Sequence, residues 1–224
     1  MPSAWIDLSV PVVAGMPVYP GDPAVEISPA LRAPRDGVNV LQLHMGSQSG
    51  THVDAPYHVD DAWPRLDELS LEFFGGHAVV ADVRGLPARA PITPALLAPA
   101  LNRLRLRPGS LVLLATGWSA YWGTDEYLAH PWLTPEAAEA LVAAGVRTVA
   151  VDALSVDPTP EPGDQTAELA LPAHRVLCGA GGVIAENLTG LDQVIGLQDV
   201  ELFLFPLRLA GADGAPVRAV ARAV

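Results

Sequence analysis

"TPEAAEALVAAGVRTVAVDA" (residues 134–153) carries a helix signal and a strand signal back to back. Thr134 is suited to the N-cap, Pro135 to the first helical position and Glu136 to the first turn, while Gly145 supplies the stop. The β-branched run "VRTVAVDA" follows at once. A helix that delivers its chain straight into an apolar strand is the connection of α/β layers, so this stretch predicts an α/β fold.

The pattern extends in both directions. "VNVLQLHM" (38–45), "HAVVADV" (77–83), "SLVLLAT" (110–116), "GVIAEN" (182–187) and "VELFLFPLRL" (200–209) read as further strands, and residues 93–104 open a second helix at Thr93-Pro94. There is no internal repeat and no long linker, so residues 1–224 are expected to form one domain. The longest polar interruption, "VDPTPEPGDQTAE" (156–168), reads as a lid or as a surface excursion.

Composition narrows the function classes. Half of the 224 residues are hydrophobic and 17% are charged, which suits a packed core. A net charge of −12 argues against a nucleic-acid partner, whose phosphates call for a basic footprint. No apolar run reaches the ~20 residues that span a bilayer, and the N-terminal stretch lacks the pattern of a signal peptide. The single cysteine, Cys178, excludes an internal disulfide and a Cys-x-x-Cys site; a cytoplasmic protein with no membrane partner is expected.

Three catalytic signatures fail. "GSQSG" (46–50) has Gln48 in place of the serine of a nucleophile elbow, and "GWSAY" lacks the closing glycine. "GAGGVI" (179–184) misses the last glycine of the dinucleotide fingerprint and lies between a helix and a strand in the wrong order. Cys178, in "RVLCGAGG", reads as a small core residue.

"QSGTHVDAPYH" (48–58) survives the same scrutiny. His52 and Asp54 alternate with Val53, so in extended chain they leave the same face, and Ala55-Pro56 turns His58 back toward them. Imidazole and carboxylate together suit zinc, manganese or iron. The spacing alone fits a polar loop equally well. A second cluster lies in "LPAHRVLCGAGGVIAENLTG": His174 follows a helix start at Pro172, and Glu186 ends an apolar strand.

"GTHVDAPYH" resembles the signature of the metal-dependent cyclase family, which includes bacterial kynurenine formamidases and isatin hydrolases. "MPVYPGDP" (16–23), "TGW" (116–118), "VDALSVDP" (151–158) and the spacing from His174 to Glu186 also resemble family segments. The resemblance implies a single domain of the family's swivelling β/β/α type. It further implies that Asp54 and Glu186 bridge one or two divalent ions, zinc or manganese, with His52 on the first and His174 on the second. His58 would be the general acid/base and Tyr19 would line the substrate pocket. Gln48 departs from the pattern, standing where the family has its first histidine ligand; an amide oxygen is a harder ligand than imidazole, and His44 is an alternative.

The activity implied is metal-dependent hydrolysis of a small amide, lactam or lactone, with N-formylkynurenine the first substrate to test. The alternatives are a cyclase or dehydratase of secondary metabolism, and a family member that only binds ligand. The family's habit implies a homodimer or homotetramer.

Overall fold

A computed structural model describes residues 5–106, 109, 111–160 and 170–224. Strand β1 (Ile6–Asp7) is followed by a hairpin of β2 (Glu26–Leu31) and β3 (Val40–His44), with the short helix α1 (Ala33–Asp36) in its turn. Then come β4 (His52–Asp54), β5 (Gly75–Asp82), β6 (Pro91–Ile92), α2 (Pro94–Leu106) and β7 (Leu111–Ala115). The second half holds β8 (Trp132–Leu133), α3 (Pro135–Ala143), β9 (Thr148–Val151), α4 (Pro172–Gly179) and β10 (Val183–Glu186). Strands β11 (Val200–Phe203), β12 (Gly214–Pro216) and β13 (Val220–Ala223) complete the chain.

Nine strands form one sheet in the order β1-β13-β11-β5-β7-β9-β10-β4-β12. The middle four, β5, β7, β9 and β10, are parallel, and α2, α3 and α4 supply the crossovers between them. The flanking strands are antiparallel. Parallel strands need such crossovers and are buried on both faces, which is why β7, "LVLLA", is apolar throughout. The helix signals hold: Thr134 Oγ1 accepts from the Ala137 N–H, and Gly145 takes the left-handed φ of 83° that closes α3.

Side-chain alternation divides the core. Val79 and Ala81 of β5 pack with Leu97, Leu141 and Leu177 beneath the helices. Ala78 and Val80 face the other way, meeting Val53, Leu202, Ala215 and Ala221 from the sheet's outer strands. One sheet can bury residues from its centre and from both ends together only if it curls. The fold is a mixed α/β domain with a curled sheet. No helix among the described residues is long and apolar enough to cross a membrane.

"VNVLQLHM" does form a strand, β3, but outside this sheet. It pairs only with β2, and all five of its residues are exposed. The reading of 156–168 as lid or excursion falls mostly outside the described residues. Cys178 is buried at 1% exposure, and burial pushes its thiol pKa up, as suits a core residue.

Candidate metal centre

Strand β4 is sandwiched between β10 and β12, with Glu186 opposite His52 and both Ile184 and Gly214 opposite Asp54. Val53 points into the core under the sheet, so His52 and Asp54 project to the helix side. Glu186, two residues beyond Ile184, leaves β10 on that same side. Helix α4 then lowers His174 onto the three. Residues from distant parts of the sequence thus meet in a patch where each is at most 5% exposed.

The distances have a cross-linked pattern. His52 Nε2 lies 3.3 Å from Asp54 Oδ1 and 3.8 Å from Glu186 Oε2. His174 Nε2 lies 3.6 Å from Asp54 Oδ2 and 3.5 Å from Glu186 Oε1. Each carboxylate therefore offers one oxygen to each imidazole. Ligand atoms of His52, Asp54 and Glu186 lie within 4.8 Å of one another, a separation one ion can bridge.

Other groups fix which ring nitrogen faces inward. His52 Nδ1 lies 2.8 Å from the Gly50 carbonyl and donates to it. His174 Nδ1 donates to Asp157 Oδ2 at 2.7 Å. Asp157 also accepts the backbone N–H groups of Ala173 and His174, tying itself to the first turn of α4. With the outer nitrogens acting as donors, both Nε2 atoms present lone pairs to carboxylate oxygens. Neither oxygen of Asp54 makes a hydrogen bond, although both are buried. Lone pairs facing lone pairs in a dry site require a positive charge between them.

The electrostatics point the same way. Burial disfavours imidazolium, yet the Asp54 and Glu186 carboxylates outweigh it and raise His52 to about 9. His174 rises to about 10 against the same burial, helped by Asp157 and Asp54. Burial and the neighbouring Asp54 charge push Glu186 up to about 7. Asp54 is held low, its own burial overcome by His52 and His174. Two imidazoles and two carboxylates on converging, hydrogen-bond-free atoms fit a divalent ion, and the same nitrogens would hold protons in its place.

Around this core lies a cleft of about 510 Å³, counting its open mouth, lined by Tyr19, Asp22, Gln48, His58 and Asn187 among others. His58 sits on a 3₁₀ turn (Pro56–His58), its ring 5.8 Å from that of His174. Burial opposes protonation of His58, but the Asp213 contact and the Asp54 charge prevail and raise its pKa. The Tyr19 hydroxyl is buried without a hydrogen-bond partner, and burial, with Glu186 and Asp157 nearby, pushes it up to about 12. Gln48 Nε2 donates to Asp213 Oδ2 at 2.8 Å, and Gln48 Oε1 is buried with no hydrogen bond. His44 lies exposed at the end of β3, opposite Glu26, and does not line the cleft.

Sequence reasoning missed three residues. Asp157 stood within "VDALSVDP" but was given no role. Asn187 follows Glu186 in the left-handed region, φ 58°, where Asn is among the few side chains tolerated. It donates to the Gly50 carbonyl and accepts from the Tyr127 hydroxyl, while Thr51 Oγ1 donates to its backbone oxygen. This fastens the His52 segment to the end of β10. Asp213, in the plain turn "GADG", had no signal that a sequence could give.

Comparison with known proteins places the chain among relatives of the same fold. The family model described as "Putative cyclase" matches residues 6–158. Kynurenine formamidase of Geobacillus thermodenitrificans is 34% identical over 224 residues, covering 99% of each chain. Isatin hydrolase A from Ralstonia solanacearum superposes with a TM-score of 0.84 at 25% identity, over 99% of this chain and 92% of that one. A predicted metal-dependent hydrolase from Bacillus stearothermophilus gives a TM-score of 0.73 at 25% identity, over 99% and 98% of the two chains. A curled α/β domain with a buried carboxylate–imidazole centre defines the class. The chain belongs to the cyclase family.

Proposed function

We propose that this protein hydrolyses an aryl formamide, N-formylkynurenine foremost, at the His52–Asp54–His174–Glu186 centre. At the coarser level it is a metal-dependent hydrolase acting on C–N amide bonds. The observation that carries the reading is the convergence of two Nε2 lone pairs on the unsatisfied Asp54 carboxylate. When bound, a divalent ion acidifies water and polarises the scissile carbonyl. His52, Asp54 and Glu186 would hold one ion, and His174 with the other oxygens of the two carboxylates a second. Gln48 Oε1, buried and without a hydrogen bond, is available to the first site. Zinc or manganese fits this mixed nitrogen and oxygen set.

The chain's own groups do the rest. His58 takes a proton from the attacking water and returns it to the leaving nitrogen as the C–N bond breaks. The water's OH stays on the formyl carbon, and the formamide splits into amine and formic acid, which releases its proton to solvent as formate. Tyr19 presents a neutral hydroxyl to the substrate. A second copy of the chain is the partner we propose in solution, as a dimer or tetramer, and a cytoplasmic setting accords with the lone buried cysteine.

The test is metal content of the purified protein together with turnover of N-formylkynurenine, other aryl formamides and lactones. Metal-dependent formamide hydrolysis well above lactone hydrolysis is expected. Hydrolysis of lactones alone would move the substrate class, and turnover unaffected by chelation would overturn the metal reading.

A further inference from the structure

We propose that Asp213, held in place by Gln48 and Ser47, is the positioning carboxylate for His58. The inference rests on the hydrolase reading above. The backbone brings Asp213 there: its carbonyl accepts the Ala55 N–H at 2.7 Å, and the next residue, Gly214, pairs with Asp54. The loop entering β12 is thus pinned directly over the motif turn.

The side chains complete the arrangement. Asp213 Oδ2 lies 3.4 Å from His58 Nδ1, so Nε2 is the nitrogen left for proton transfer. The carboxylate is itself anchored: Ser47 Oγ donates to Oδ1 at 2.9 Å and Gln48 Nε2 to Oδ2 at 2.8 Å. An amide oxygen turned toward this carboxylate would be repelled, so the amide nitrogen must face it. The same nitrogen lies 3.2 Å from His58 Nδ1. His58 Nδ1 therefore has a partner in either state: Asp213 accepts from it when it carries hydrogen, and the second amide hydrogen of Gln48 reaches it when it does not. The ring keeps its orientation as the proton passes from water to Nε2 and on to the leaving nitrogen. On this account the residue that departs from the family signature serves the general acid/base through its nitrogen.

The test uses Asp213→Ala and Asp213→Asn in the full chain, read three ways. Steady-state kinetics on the formamide should show kcat reduced by about 10²–10⁴-fold in both Asp213 variants, with KM within about threefold of the parent. Metal content should stay at the parent level in both Asp213 variants. Nitrogen-15 spectra of the labelled, metal-free protein should show the Nδ1-protonated form of His58 depleted in both Asp213 variants. Asp213→Asn keeps the size and one acceptor oxygen while removing the charge and the second acceptor, and near-parent kcat in it would overturn the proposal. Loss of metal as complete as in His52→Ala would also overturn it, by assigning Asp213 to the centre. If the parent has no formamidase activity the nitrogen-15 spectra decide alone, and unchanged His58 signals in Asp213→Asn count against the pair.

Discussion

Asp54 has two buried oxygens and no hydrogen bond, so its value to the fold depends on what sits between it and the histidines. Asp54→Ala and Glu186→Ala should each empty the whole centre, because each carboxylate reaches both imidazoles; elemental analysis showing near-parent metal in Glu186→Ala would contradict this. Asp157→Ala acts one step removed. It frees the His174 ring and should weaken metal affinity by about 10–100-fold, measured by competition with a chelator. His58→Ala should keep its metal while losing about 10²–10⁴-fold in turnover. His130 gives a separate pH signal. It is buried, its Nε2 has no partner, and burial lowers its pKa to about 4. The unfolded chain takes up this proton near pH 6.5 and the folded one only near 4, so stability is lost as pH falls between those values. The loss for this one group amounts to about 3 kcal/mol at most. His130→Gln should therefore fall less in denaturant midpoint than the parent between pH 7 and 4.5.

Among elements, β4 is the shortest route from sequence to site. Its three residues divide two ways, Val53 to the core and His52 with Asp54 to the centre, and period-2 alternation made that legible. Gly214 on the neighbouring β12 must remain glycine. An added Cβ would collide with the Val53 carbonyl and lie 2.7 Å from Gln48 Nε2, so Gly214→Ala should cost about 1–3 kcal/mol in urea unfolding and loosen the site with it. Thr134→Ala, which removes only the α3 cap, should cost about 1 kcal/mol and leave activity unchanged. The parallel strands and α3 were readable because burial on both faces and capping are local signals. Strands β12 and β13, "GAP" and "VARA", were not, since they are strands by virtue of their neighbours in the curled sheet. His52 and Asp54 were named as candidate ligands through the resemblance of their contiguous motif to the family signature, and Asp213 lies outside any such motif.

At the scale of the molecule, the β2–β3 arm stands apart. Val40, Leu41 and Leu43 are 45%, 61% and 57% exposed, and an isolated two-stranded hairpin is marginal in water. A second copy packing against this arm would account for its apolar residues, so Leu41→Lys with Leu43→Lys should shift sedimentation toward the monomer. A shift absent at micromolar protein would place any dimer contact elsewhere. The position of β4 between β10 and β12 also bears on how the chain is made. His52 and Asp54 leave the ribosome long before either strand that flanks them, since β10 and β12 both lie far downstream. Until then β4 has no neighbour on either edge, and its histidine and aspartate have no Glu186 or His174 to meet. A nascent chain that stops short of α4 and β10 thus carries half of the candidate centre, and loading must wait until those elements are made. A ribosome-stalled chain ending before residue 170 should bind the ion no better than a short peptide of residues 48–58.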